Sequence, residues 1–171
     1  MSSAAFGELA REHLSASDTA VLELCTLEPE KAAPGEAGGA YDVPVSQTSS
    51  EFVNKWKEWE RVLRLNLAKN RAQKLKREGG FPADVPQDPF DAAGAARAAV
   101  AFESPLEAEI FLDRARWDII ESLQGLNIFC ETAIYAYMLK LLLMERRAAF
   151  NIEEGFTEYK GLYAAILGES K

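Results

Sequence analysis

Apolar residues recur along this chain at three- and four-residue intervals, and no segment alternates apolar and polar positions with the β-branched enrichment of a strand. The most apolar stretch runs from Asn127 to Arg147. Between Ile128 and Met144 its only charges are Glu131 and Lys140, so a helix here is apolar on nearly every face and has to be wrapped by other elements. Such a helix extends roughly 30 Å, the width of a small domain. Its two charges, with Asn127 and Thr132, argue against a membrane span. The pattern predicts an all-α fold: an antiparallel helical bundle with this central apolar helix as its hub.

The remaining segments repeat the helical rhythm. Ser3 to Leu14 spaces Phe6, Leu9, Ala10 and Leu14 helically, and Ser17-Asp18 offers a new cap before Val21, Leu22, Leu24 and Leu27, which predicts two short helices. From Glu28 to Ser49, Pro and Gly among small residues cannot sustain a core element and read as a flexible linker. Thr48-x-x-Glu51 reads as a capping box that opens a long helix ending at Gly79-Gly80. On it, Phe52, Trp56, Trp59, Leu63 and Leu67 form one inward stripe. Asn66 and Asn70 lie beside the stripe, where they either fix the helix register through their amides or sit at a partly exposed edge. After a Pro-containing loop from Phe81 to Gln87, Asp88 before Pro89 starts an Ala-rich helix to Phe102. Ser104-Pro105-Leu106-Glu107 opens the next helix, which ends at Gly125. Asn151-x-x-Glu154 opens a last one, carrying Phe156, Tyr159, Leu162, Tyr163, Ile166 and Leu167 as far as Gly168. Three parts follow: short N-terminal helices over 1–27, a linker over 28–49 and a bundle domain over 50–171.

Charge adds a second pattern. The chain of 171 residues has a formal net charge of −8. From Glu51 to Glu78 nine Lys/Arg stand against four Glu, which gives +5 and leaves −13 for the rest. Arg61, Arg64, Lys69, Arg71, Lys74, Lys76 and Arg77 fall within seventeen residues with no acid among them. Cations late in a helix offset the negative end of its dipole, and a basic face also attracts an acidic partner. Nucleic acid is the weaker candidate, because the chain as a whole is acidic and no aromatic residues interleave with the cations for base stacking.

Catalytic chemistry is sparse. His13 is the single histidine, which excludes the paired His ligands of di-iron bundles and weakens any Ser-His or Cys-His scheme. Glu109 and Asp113 share a helix face, and their neighbours Arg114 and Arg116 suit salt bridging better than a metal. Gly35-x-x-Gly38-Gly39 lacks the Lys-Ser/Thr and the preceding strand of a phosphate loop. Trp56, Trp59, Trp117, Tyr135 and Tyr137 read as plain core or, alternatively, as the lining of a ligand pocket. Cys25 and Cys130 lie in apolar surroundings and read as buried thiols, which favours a cytoplasmic setting over a disulfide-stapled one. The start of the chain lacks the basic flank and apolar run of a signal peptide. Glu60, Arg114, Arg116, Trp117, Glu145, Arg146 and Arg147 are candidates for a polar seam between helices, with a salt-bridge network as its default role. The reading is of a non-enzyme with no cofactor and no bound metal.

Three stretches together resemble a known family. Phe52-x-x-x-Trp56-x-x-Trp59-Glu60-Arg61-x-Leu63-Arg64 runs on to Leu67-Ala68-x-x-Arg71-Ala72. Ser104-Pro105-Leu106-Glu107-Ala108-Glu109 follows with Leu112-Asp113-Arg114 and Arg116-Trp117, and then Leu139 to Leu143 with Glu145-Arg146 and Glu154-Gly155. In this order they resemble an uncharacterised bacterial family encoded beside V-type ATPase subunits. That family is itself similar to the V-type ATPase subunit called C or d, the helical socket between central stalk and membrane ring. The resemblance implies a non-enzymatic accessory or stalk-associated subunit, cytoplasmic or peripheral to the inner membrane, that binds other ATPase subunits and has no small-molecule substrate. On this expectation Arg61, Arg64, Asn66, Asn70, Arg71, Lys74 and Arg77 form the partner-binding face. A nucleic-acid-binding helical module through the basic helix 61–77 is the alternative.

Overall fold

The structure, a computed structural model, describes residues 1–29, 45–76, 85–86 and 88–150. Six α-helices follow one another: α1 (Ser3–Arg11), α2 (Ala16–Glu23), α3 (Glu51–Lys74), α4 (Ala92–Ala101), α5 (Pro105–Gln124) and α6 (Glu131–Ala148). They pack as an all-α bundle, with no strand among the described residues. Arg77, most of the 28–49 linker and the helix expected after Asn151 lie outside the described residues.

Each of the first five helices starts where a short polar side chain accepts an otherwise unpaired backbone N–H. Ser2, Ser15, Ser50, Asp91 and Ser104 do so for α1 to α5, and Pro105 adds a preset φ at the start of α5. Two of these caps differ from the sequence expectation. Ser50, not Thr48, caps α3; Thr48 is held instead by Asn54, whose amide accepts from the Thr48 N–H at 2.8 Å and donates to its carbonyl at 2.9 Å. Asp91, not Asp88, caps α4, while Asp88 Oδ2 accepts from the N–H groups of Phe90 and Ala92, both at 3.0 Å. Asp91 reaches its cap geometry in the left-handed region, which Asp tolerates better than most residues.

The core is one continuous cluster. Trp56 and Trp59 stack at 6.0 Å in its centre, and Leu63, Leu112, Ile120, Tyr135 and Leu139 fill in around them. On α4, Ala92, Ala96 and Ala99 are buried along one face. Their small side chains let the α4 backbone lie close against α3, where Lys74 Nζ donates to the Val100 carbonyl at 2.8 Å. α1 lies antiparallel on α6, through an edge-to-face contact of Phe6 with Tyr137 at 4.8 Å. Gly7 makes room there for Met138, whose Cε would stand 3.4 Å from an added Cβ.

The apolar hub expected at Asn127 to Arg147 is corrected in two respects. The most enclosed helix is α3, with ten buried residues against six on α6, where Tyr137 and Met144 stay exposed. Large side chains on α3 fill the centre while its long cations carry their charges outward along apolar stems. In addition, α6 begins only at Glu131. Gly125 takes φ 66° and ψ −154°, and Asn127 Oδ1 then accepts the Phe129 N–H at 3.0 Å, so residues 125–130 form a turn instead of a first helical coil. Among the described residues no helix is long and apolar enough to cross a membrane.

A Cβ on Gly125 would meet nothing within 4 Å, so only backbone strain opposes a side chain there. Gly125→Ala should therefore cost about 2 kcal/mol in urea denaturation, from the backbone conformation alone. A neutral result would mean that the α5–α6 turn is not held in this conformation.

Candidate functional site

Apolar stripes on α3 and α5 are each interrupted by one charge. Glu60 lies four residues after Trp56 and three before Leu63, and Arg116 lies four after Leu112 and four before Ile120, so both point inward with the stripe. An isolated charge in such a position carries a large desolvation penalty, so it must find an opposite charge. Glu60 is 2 % exposed and Arg116 6 %, and they meet directly: Arg116 Nε donates to Glu60 Oε1 at 2.6 Å. The other Glu60 oxygen accepts from Arg64 at 2.8 Å. Arg116 Nη1 reaches Asp113 Oδ1 at 3.1 Å, and Asp113, itself buried, shares that oxygen with Arg146 of α6 at 3.3 Å. Arg146 continues to Glu109 at 2.5 Å, and Glu109 stands 3.8 Å from Arg71. A chain of alternating charges thus stitches α3, α5 and α6 side to side.

Burial works against the Arg116 charge. Glu60, through charge and hydrogen bond, and then Asp113 and Glu109 outweigh it and hold the guanidinium above its ordinary value. Asp113 Oδ2 and the amide nitrogen of Asn70 are buried without a hydrogen-bond partner among the described residues. Asn66, one turn earlier, donates to the Val62 carbonyl at 2.9 Å. Of the two asparagines beside the α3 stripe, only Asn66 bonds to a neighbouring group, and it does so within its own helix.

The residues singled out for a polar seam separate into three places. Glu60 and Arg146 belong to the buried chain of charges. Arg114 is exposed on α5, and it is Arg116 that turns inward. Trp117 donates from Nε1 to Glu121 at 2.9 Å and lies under Lys140 Nζ, 5.0 Å from its ring centre, so it ties α5 to α6 at another level. Glu145 serves α1: its two oxygens accept from the Ser3 N–H and hydroxyl, both at 2.6 Å. Those bonds, hydroxyl first and backbone second, hold the Glu145 carboxyl below its ordinary value of 4.5.

The basic face also divides. Arg61 pairs with Glu58 at 2.7 Å and Arg64 with Glu60, so both are engaged within α3. Arg71, Lys74 and Lys76 are exposed at the C-terminal end of α3, and Arg147 is exposed at the end of α6. Glu109, shared by Arg71 and Arg146, brings these two helix ends to the same end of the bundle.

Trp56, Trp59 and Tyr135 are core side chains, whereas Tyr137 is exposed and Trp117 half-buried. Burial pushes the Cys25 thiol up to about 12, partly offset by Lys57, and Cys130 is half-buried. Among the described residues no group of three His, Cys, Asp or Glu stands where it could hold a metal ion. Comparison with protein-family models, curated proteins and solved structures finds no match for the chain.

Glu60→Ala should destabilise the fold by about 3 kcal/mol, because it takes away the nearer of the two carboxylates that compensate the buried Arg116 charge and leaves only Asp113. Glu60→Leu combined with Arg116→Met should recover most of that loss in the same denaturation experiment; a double variant as unstable as the single one would show that the pair itself supplies net stability. The Glu145 carboxyl, held low in the folded state, stabilises α1 docking above pH 4.5 and releases it as pH falls through its own lower value. In an NMR titration the Phe6 and Gly7 amides should shift with the Glu145 midpoint, and Ser3→Ala should move that midpoint back towards 4.5. Midpoints unchanged by Ser3→Ala would mean that the Ser3–Glu145 hydrogen bonds do not hold α1 on α6.

Proposed function

We propose that the chain is a non-enzymatic helical subunit or accessory of a bacterial V-type ATPase that holds a protein partner at the basic end of its bundle. The observation that carries the binding surface is the gathering of exposed Arg71 and Lys74 on α3, and Lys76 just past its end, with Arg147 on α6. The negative dipole ends of the two helices account for about one charge among these four cations, and exposed Glu103 and Glu107 at the start of α5 lie at the same end, so the positive surface is confined to the ends of α3 and α6. Arg61 and Arg64 drop out of the contact surface, since each is already engaged by a glutamate one turn away. The chain of charges between α3, α5 and α6 supports a coupling role, because it resists sliding of one helix past the next. Attribution to the ATPase rests on the resemblance over 52–72, 104–117 and 139–155. A nucleic-acid role is less well supported, because two cations of the basic run, Arg61 and Arg64, are taken up by glutamates within α3 and the chain as a whole is acidic.

Co-expression of the tagged chain with V-type ATPase central-stalk and membrane-ring subunits, followed by capture at low salt, tests this reading. The subunits should co-purify with the chain, and charge reversal at Arg71, Lys74 and Lys76 should weaken retention at least about tenfold with helicity unchanged. Undiminished retention by the reversed variant would sink the surface; retention of neither subunit would sink the ATPase attribution. DNA affinity that falls steeply with added salt would favour the alternative.

A further inference from the structure

At the opposite end of α3, roughly 35 Å from the basic end, the turn between α5 and α6 presents three apolar side chains to solvent. Leu126 is 101 % exposed, Phe129 92 % and Ile128 62 %. This turn is held by its own hydrogen bonds: Asn127 Oδ1 accepts the Phe129 N–H, and the Cys130 thiol donates to the Asn127 carbonyl at 3.4 Å. Its side chains are therefore pre-set in an outward arrangement, which lowers the ordering cost of binding. Beside the turn, with Asn127 and Cys130 in its wall, opens a cavity of about 560 Å³, a size that admits one or two side chains of a partner.

The cavity is acidic above an aromatic floor. Asp18, Glu51 and Glu131 line it with a single cation, Lys55, which gives a formal charge of −2. Lys55 is spoken for by Glu51 at 2.7 Å, and Asp18 accepts from the Tyr135 hydroxyl at 3.3 Å. Glu131 has no hydrogen bond or ion pair among the described residues. The N-termini of α2, α3 and α6 open at this end and together offset about one and a half units of that charge, so a small net negative potential remains. Phe52, Phe90 and Tyr135 supply apolar wall.

Charge and shape together select the occupant. An anionic membrane or nucleic acid is repelled by the carboxylates. We infer that the 125–130 turn and the adjoining acidic cavity form a docking site for a basic amphipathic segment of a partner protein, whose apolar side chains cover Leu126 and Phe129 while a Lys or Arg enters the cavity towards Glu131. The site does not depend on the ATPase reading, since it uses the other end of the bundle and the opposite charge.

A leucine–lysine amphipathic helical peptide of about fourteen residues is the probe, and its leucine–glutamate counterpart is the control. Titration calorimetry should detect the lysine peptide and not the glutamate one. Leu126→Ser with Phe129→Ser, which leaves every charge in place, should weaken binding at least about tenfold. Glu131→Gln should weaken it less and flatten its dependence on salt. These positions are exposed, and unchanged far-UV circular dichroism will show that each variant keeps its fold. No binding of the lysine peptide, equal binding of the two peptides, or binding indifferent to the double Ser variant would overturn the site. So would self-association, or binding to phosphatidylcholine vesicles, that the double Ser variant abolishes while peptide binding persists, because the turn would then serve a second copy or a lipid surface.

Discussion

Two charges buried in an apolar core set the terms for the rest of this bundle. Glu60 and Arg116 are each almost wholly removed from water, and each is the other's closest compensating charge. Leu, Ile and Ala surfaces alone would let α3, α5 and α6 slide by a turn at modest cost, since their contacts are similar at neighbouring registers. The ion pair forbids that, because a one-turn slip would leave a carboxylate and a guanidinium apart in a low-dielectric interior. Arg146 extends the same constraint to α6 through Asp113 and Glu109. Packing supplies the bulk of the attraction, and the charges choose the one arrangement that survives.

The helices were legible because their periodicity and punctuation agree. Ser104-Pro105 starts α5 and Gly125 ends it where the residue types say they should. Cap assignment at α3 and α4 was less legible, since Thr48 and Ser50, or Asp88 and Asp91, are chemically equivalent candidates and only the path of the incoming chain decides between them. The four apolar residues Leu126, Ile128, Phe129 and Cys130 around Asn127 look like the opening of a core helix. An Asn side chain satisfying a nearby N–H is enough to make them a turn. The helix cut from the most apolar stretch of sequence, α6, is also less buried than α3, because side-chain volume and position weigh more than the count of apolar residues: Trp56 and Trp59 draw α3 to the centre.

Site residues were harder to read, for a related reason. A run of cations from Arg61 to Arg77 looks continuous in one dimension, yet the helix turns every 3.6 residues, and internal glutamates take up Arg61 and Arg64. Glu60 carried a readable signal, an acid set squarely on an apolar stripe, and Arg116 carried the matching one on α5. That they face each other could not be read, because it depends on the relative register of two helices separated by thirty residues of chain. Glu145 likewise has a local reading beside Arg146 and a quite different partner, Ser3, at the far end of the sequence.

The cross-links in the charge seam run from helix to helix, transverse to the helices they join. A load applied at one end of α3 and resisted at the end of α6 would reach α6 as shear between neighbouring helices, and the seam lies in the planes where that shear would act. Such displacement would pull buried opposite charges apart in a low-dielectric interior, at a cost that rises with separation. The molecule should therefore behave as a stiff strut, in which relative motion of the three helices is opposed at the same contacts that set their register.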